Sequence, residues 1–113
     1  MDIEIYLNFF LLTSKEASKL KITKNIQELL NEKFSENVVQ QLENACFVVT
    51  AEYDSWKTAI YKVLKFCQSI GKQWVITGNI ESEFNVWSDN PSIIGVKSIE
   101  VNLDNSFISK SGD

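Results

Sequence analysis

Glu81 and Glu83 stand two residues apart, so in a strand both carboxylates project the same way. With a third carboxylate they could hold a divalent cation or share acid–base work. Metal sites show denser ligand sets than this, so the pair reads first as the solvated edge of a turn. Nucleophilic chemistry has two candidates, Cys46 and Cys67. The chain contains no histidine, and its eleven basic residues are all lysine. Neither thiol therefore has an imidazole to lower its pKa, and the usual proton shuttle and commonest metal ligand are missing. Without arginine there is no bidentate clamp for phosphate or carboxylate. Gly71, Gly78, Gly95 and Gly112 are too widely separated for a phosphate-cradling loop. These residues assign no catalytic, cofactor-binding or metal-binding role, and the chain is not read as an enzyme.

The remaining signal is charge. Residues 54 to 72 carry four lysines and one aspartate, whereas residues 73 to 113 carry six acids and two lysines. The lysines fall on the outer side of a helical pattern, and the acids on the strands and turns that follow. In EFNVWS, residues 83 to 88, Phe84 and Val86 point one way, Asn85 and Trp87 the other. Trp87 is then a candidate for the wet face, next to carboxylates. An exposed tryptophan ringed by acids is the composition of a protein-docking hot spot. Glu81, Glu83, Trp87, Asp89 and Glu100 are the candidate partner-binding residues. Trp56 and Trp74 are assigned to the core.

These residues need elements to position them. Residues 3 to 12 alternate: Ile3, Ile5, Leu7, Phe9 and Leu11 share one face; Glu4, Tyr6 and Asn8 share the other. The run ends apolar on both faces, which predicts a central strand covered on both sides there. Thr13 or Ser14 can cap a helical stretch, and a second helix is predicted over 23–34, with Thr23 as its cap. Residues 35 to 44 fit a short helix or an irregular connection. Residues 46 to 53 read as a strand. Asp54 caps the strongest helix, whose stripe is Trp56, Ala59, Ile60, Val63, Cys67 and Ile70, and Gly71 ends it in a left-handed stop. KQWVITGNI, EFNVWS and IGVKSIEVNL then read as three strands of a meander.

The predicted fold is α/β (α+β): a two-layer sandwich, its sheet mixed or antiparallel, its helices mainly on one face, with a C-terminal three-stranded meander. A ferredoxin-like arrangement is the nearest common pattern, with a strand too many near the C-terminus. Residues 1–105 form a single domain and 106–113 a loose tail. At 44% hydrophobic and 23% charged the chain has the balance of a globular protein. Its net charge of −4 argues against nucleic acid as a direct partner. No segment reaches membrane-spanning length, and the acidic start, Met1-Asp2-Ile3-Glu4, is unlike an export signal. The chain reads as cytoplasmic, with both cysteines buried and unpaired.

The stretch GKQWVITGNIESEFNVWSDNPSIIGVKSIEVNL, residues 71 to 103, together with the preceding helix, resembles bacterial toxin-immunity proteins of the contact-dependent growth inhibition type. That resemblance implies one-to-one binding to a toxin's C-terminal domain, often a nuclease, whose basic active-site cleft an acidic protein can cover. Other classes fit the same residues. One is a non-catalytic adaptor or obligate subunit of a complex; another is a small enzyme or ligand-binding domain with an unusual site.

Overall fold

The computed structural model describes residues 2–104. The predicted tail, 106–113, lies outside them. The chain runs through β1 (Asp2–Leu11), α1 (Glu16–Lys33), β2 (Val38–Gln41), β3 (Cys46–Glu52) and α2 (Trp56–Ile70). It continues through β4 (Gly71–Lys72), β5 (Val75–Thr77), β6 (Glu83–Ser88), β7 (Asn90–Pro91) and β8 (Val96–Asp104). Six strands form one antiparallel sheet in the order β2-β3-β1-β8-β6-β5, and β4 pairs with β7.

The period-two pattern of β1 fixes the inner face. Ile3, Ile5, Leu7 and Phe9 are buried against Phe47, Val49 and Ala51 of β3 and Ile99, Val101 and Leu103 of β8. Phe84 and Val86 extend the layer onto β6. Both helices close this face, α1 through Ile26 and Leu30, α2 through Ala59, Val63, Phe66, Cys67 and Ile70. The two-layer α+β sandwich with its C-terminal meander is thus the architecture observed. Its first two split crossovers, β1-α1-β2 around β3 and β3-α2-β8 around β1, have ferredoxin-like connectivity. The surplus strands are not an addition at the end. β5 and β6 are inserted between α2 and the last core strand, and they widen the sheet beyond β8.

Several local expectations are corrected. The helical pieces before residue 34 are one helix, which no Gly or Pro interrupts. Thr23 therefore lies inside it, and Lys15 occupies the cap position without a side-chain bond. Residues 38 to 41 form a strand, not a helix, because Val39 turns inward while the backbone pairs with β3 from Val38↔Thr50 to Gln41↔Phe47. Ser55, not Asp54, caps α2: its Oγ accepts from the Thr58 N–H at 3.1 Å. Phe66, absent from the expected stripe, joins the helices through Phe34, with ring centroids 4.9 Å apart. Gly71 has φ −175°, which is extended backbone, and it starts β4. Glycine is favoured there by closeness: a Cβ would lie 3.2 Å from the Trp74 ring. Trp56 and Trp74 sit half-buried at the rim of the core, and the Trp56 indole donates to the Ile80 carbonyl at 2.7 Å.

Gly95 has the stronger requirement. Its φ is +88°, and an added Cβ would come 2.5 Å from Cδ1 of Ile22 on α1. Gly95→Ala is therefore expected to lower stability by about 1–3 kcal/mol, combining left-handed strain with displacement of Ile22. Urea unfolding of the two proteins measures the difference. A loss below a few tenths of a kcal/mol would contradict the contact between this turn and α1.

Candidate partner-binding face

The alternate residues of the same strands build the opposite face, which no helix among the described residues covers. Successive side chains point to opposite sides, so β1 presents Asp2, Glu4, Tyr6, Asn8 and Phe10 there, and β8 presents Ser98, Glu100 and Asn102. The pairing register aligns them into rows. One row runs Val75, Trp87, Glu100, Asn8, Cys46 across five strands. The next runs Thr77, Asn85, Asn102, Tyr6, Val48, Gln40 across all six.

Trp87 is 40% exposed in the first row, with Glu100 directly across from it. Tyr6 and Phe10 are exposed on the same face. Phe10 corrects the expectation that the end of β1 is covered on both sides. The chain's alternation breaks there because β1 leaves its register with β8 between Phe10 and Leu11. The Tyr6 hydroxyl donates to the Glu4 carboxylate, and Asn102 Nδ2 donates to Glu100 Oε1 at 3.0 Å.

Charge separates by layer. The six strands contain six carboxylates (Asp2, Glu4, Glu52, Glu83, Glu100 and Asp104) and one lysine, Lys97, which sits at the register shift. Helix α2 carries Lys57, Lys62 and Lys65 and no acid, and Lys65 Nζ lies 5.6 Å from the centre of the Tyr61 ring. Among the described residues the ion pair within 4.0 Å is Lys19–Glu16, on α1. Asp2, Glu4, Glu52, Glu83 and Glu100 therefore have no ion-pair partner within that distance among the described residues.

Of the candidate residues, Trp87, Glu100 and Glu83 share the open face. Glu83 is partly engaged: its Oε1 accepts from the Asn79 N–H at 3.4 Å and closes the β5–β6 turn. Glu81 lies in that turn, where its N–H donates to Asn79 Oδ1 at 3.2 Å. Asp89 is exposed beyond the opposite end of β6. Glu81 and Asp89 are thus separated by the whole strand, roughly 17 Å at about 3.3 Å per residue, and do not join one cluster. Glu4, Tyr6, Asn8 and Asn102 do join Trp87 and Glu100 on this face, and none of these four was a candidate. The alternation of Glu4, Tyr6 and Asn8 was the available signal.

The surroundings of both thiols favour the protonated form. Burial pushes Cys67 up to about 12. Burial, followed by the charges of Glu43 and Glu100, raises Cys46. Both cysteines are free, but Cys46 is half-buried on the open face rather than in the core. Among the described residues, no group of three or more Cys, Asp or Glu is placed to hold a metal ion. No helix among them is long and apolar enough to cross a membrane.

Cys67 gives a pH prediction. Its folded pKa lies above its unfolded value, so its contribution to stability is whole below about pH 9 and is lost as pH rises toward 12. In that window the unfolded chain binds fewer protons than the folded one. Stability should fall by roughly 1.4 kcal/mol per pH unit on account of this thiol. Unfolding of the parent and of Cys67→Ala between pH 8 and about 10.5 isolates the slope. Equal slopes in the two proteins would remove the buried thiol as its source.

Two concavities differ in character. A broad groove of about 840 Å³ lies between the start of α1 and the β2–β3 turn, with Leu20 and Leu42 in its walls. It is the larger, and it holds Phe10 and Glu43, but Lys19, paired with Glu16, also lines it. The smaller, of about 420 Å³, lies on the open face between Thr77, Asn85, Trp87, Glu100 and Asn102. Its chemistry matches the charge of the face around it. Comparison with family models, curated proteins and solved structures returns no match.

Proposed function

We propose that this chain is an immunity-type inhibitor, which neutralises a bacterial toxin domain by laying its open acidic sheet face over a basic active-site cleft. The observation that carries this reading is the face that no described helix covers: acidic strands with exposed Trp87 opposite Glu100, which makes no ion pair among the described residues. Six strands at about 4.8 Å spacing and a comparable length give a patch on the order of 600 Å², close to one side of a standard interface. An aromatic anchor inside a single-sign rim supplies both a desolvated centre and long-range attraction. A nuclease toxin is the favoured target class, because its substrate-binding cleft must itself be positive. Neutralisation occurs in the cytoplasm, where such a toxin meets its substrate.

The direct test recovers the partner of the tagged chain from its native host and purifies the partner's toxic domain. Adding the chain should abolish that domain's activity at one-to-one stoichiometry. Neutralising Glu4, Glu83 and Glu100 to glutamine should weaken inhibition, while neutralising Lys57, Lys62 and Lys65 should not. Undiminished partner activity, or inhibition that depends on the lysines alone, would reject the assignment.

A further inference from the structure

The small concavity on the open face narrows the chemistry of the group it receives. Trp87 and Glu100 are directly opposed on neighbouring antiparallel strands, which sets their Cβ atoms about 4.5–5.5 Å apart. An indole wall and a carboxylate therefore border the same space. Asn102 Nδ2 holds Glu100 Oε1 at 3.0 Å, which orients the carboxylate and leaves Oε2 without a protein partner among the described residues. Thr77 and Asn85 add a hydroxyl and a carboxamide to its lining. No lysine of these strands neutralises the pocket: Lys97 lies at the register shift beside Leu11.

We propose that this concavity is a guanidinium pocket, which receives an arginine side chain of the basic partner. A planar guanidinium can stack on the indole while its fork of donors reaches the carboxylate and the amide oxygens together. A lysine ammonium is compact and strongly hydrated, and it matches only part of that set. The chain has no arginine, so neither its own side chains nor a second copy can supply this group. The partner's identity rests on the proposed function; the chemistry of the pocket does not.

The test is an NMR titration of the full chain with N-acetyl-argininamide, ethylammonium and N-ethylurea. Argininamide should shift the Trp87 indole N–H and the Asn85 and Asn102 side-chain amides along a saturating curve, with a dissociation constant on the order of 10 mM. Ethylammonium should bind several-fold more weakly, and neutral N-ethylurea should leave these signals unmoved. Glu100→Gln should weaken argininamide by about tenfold, consistent with losing a charge-assisted hydrogen bond. Trp87→Leu should act in the same direction. Both sites lie on the uncovered face, and the parent's ligand series decides the matter even if a variant misfolds. Equal binding of ethylammonium, shifts by N-ethylurea, or an unchanged response in folded Glu100→Gln overturns the pocket. If the partner covers this face yet argininamide does not bind, the pocket falls and the inhibitor reading stands. If argininamide binds but the partner leaves these signals unmoved, the pocket stands and the docking face is wrong.

Discussion

Phe47→Ala is expected to remove about 3–5 kcal/mol of folding stability, the largest loss from any single truncation considered for this protein. Phe47 is fully buried on the inner face of β3, a strand hydrogen-bonded to β1 on one side and β2 on the other. Its ring meets Phe9 edge-on, with centroids 6.0 Å apart and planes at 77°. Truncation removes the buried ring, forfeits that contact and leaves a cavity between the sheet and the helix layer. The loss should be large against the total, because a domain of this size is commonly stable by only about 5–15 kcal/mol. Phe47→Leu keeps most of the volume and should cost about 1–2 kcal/mol. Urea titrations followed by circular dichroism provide the comparison. A loss under about 1 kcal/mol for Phe47→Ala would mean that the helices do not cover β3.

The same residues show which parts of the fold a sequence can carry. β1, α2 and β6 were legible because each states its own period. Ile3, Ile5 and Leu7 alternate without exception, Ala59, Val63, Cys67 and Ile70 follow helical spacing, and Phe84 and Val86 alternate with Asn85 and Trp87. β2 was not legible, because Val38, Val39 and Leu42 satisfy a helical spacing as well as a short strand. Pairing with β3, a tertiary contact, decides between them. Gly71 misled for a related reason: a glycine after a helix suggests a left-handed stop, but here closeness to Trp74 is the constraint. The candidate site divides along the same line. The side of the strand on which Trp87 lies follows from six residues. Its grouping with Asn8 and Tyr6 depends on β1 pairing with β8, across almost the whole chain. Nothing local encodes that register, so nearness in sequence points to Glu81 and Asp89 rather than to Asn8 and Asn102, which share the face of Trp87.

Trp87→Ala should weaken binding to the toxin partner by about 2 kcal/mol or more, roughly 30-fold in dissociation constant. Trp87 is partly exposed and touches no helix-covered core, so the same substitution should cost much less in folding stability than Phe47→Ala. That contrast separates an anchor from a structural residue. Loss of the indole should act mainly on dissociation, because the ring's contacts with the partner form only in the docked complex. The carboxylates act at another stage. Glu4, Glu83 and Glu100 attract a basic partner from a distance, so replacing them with glutamine should slow association most at low salt and progressively less as screening shortens their reach. Glu100 also borders the central concavity, so Glu100→Gln alone should raise the dissociation rate as well, which Glu4→Gln should not. Surface-plasmon measurements at about 20 mM and 300 mM salt, bracketing Debye lengths of roughly 20 Å and 6 Å, resolve the two stages. The helix lysines face away from the docking surface, and their neutralisation should leave both rates unchanged. If Trp87→Ala stays folded and binds as the parent does, while the lysine set abolishes association, the partner docks on the helices and the sheet face is not the interface.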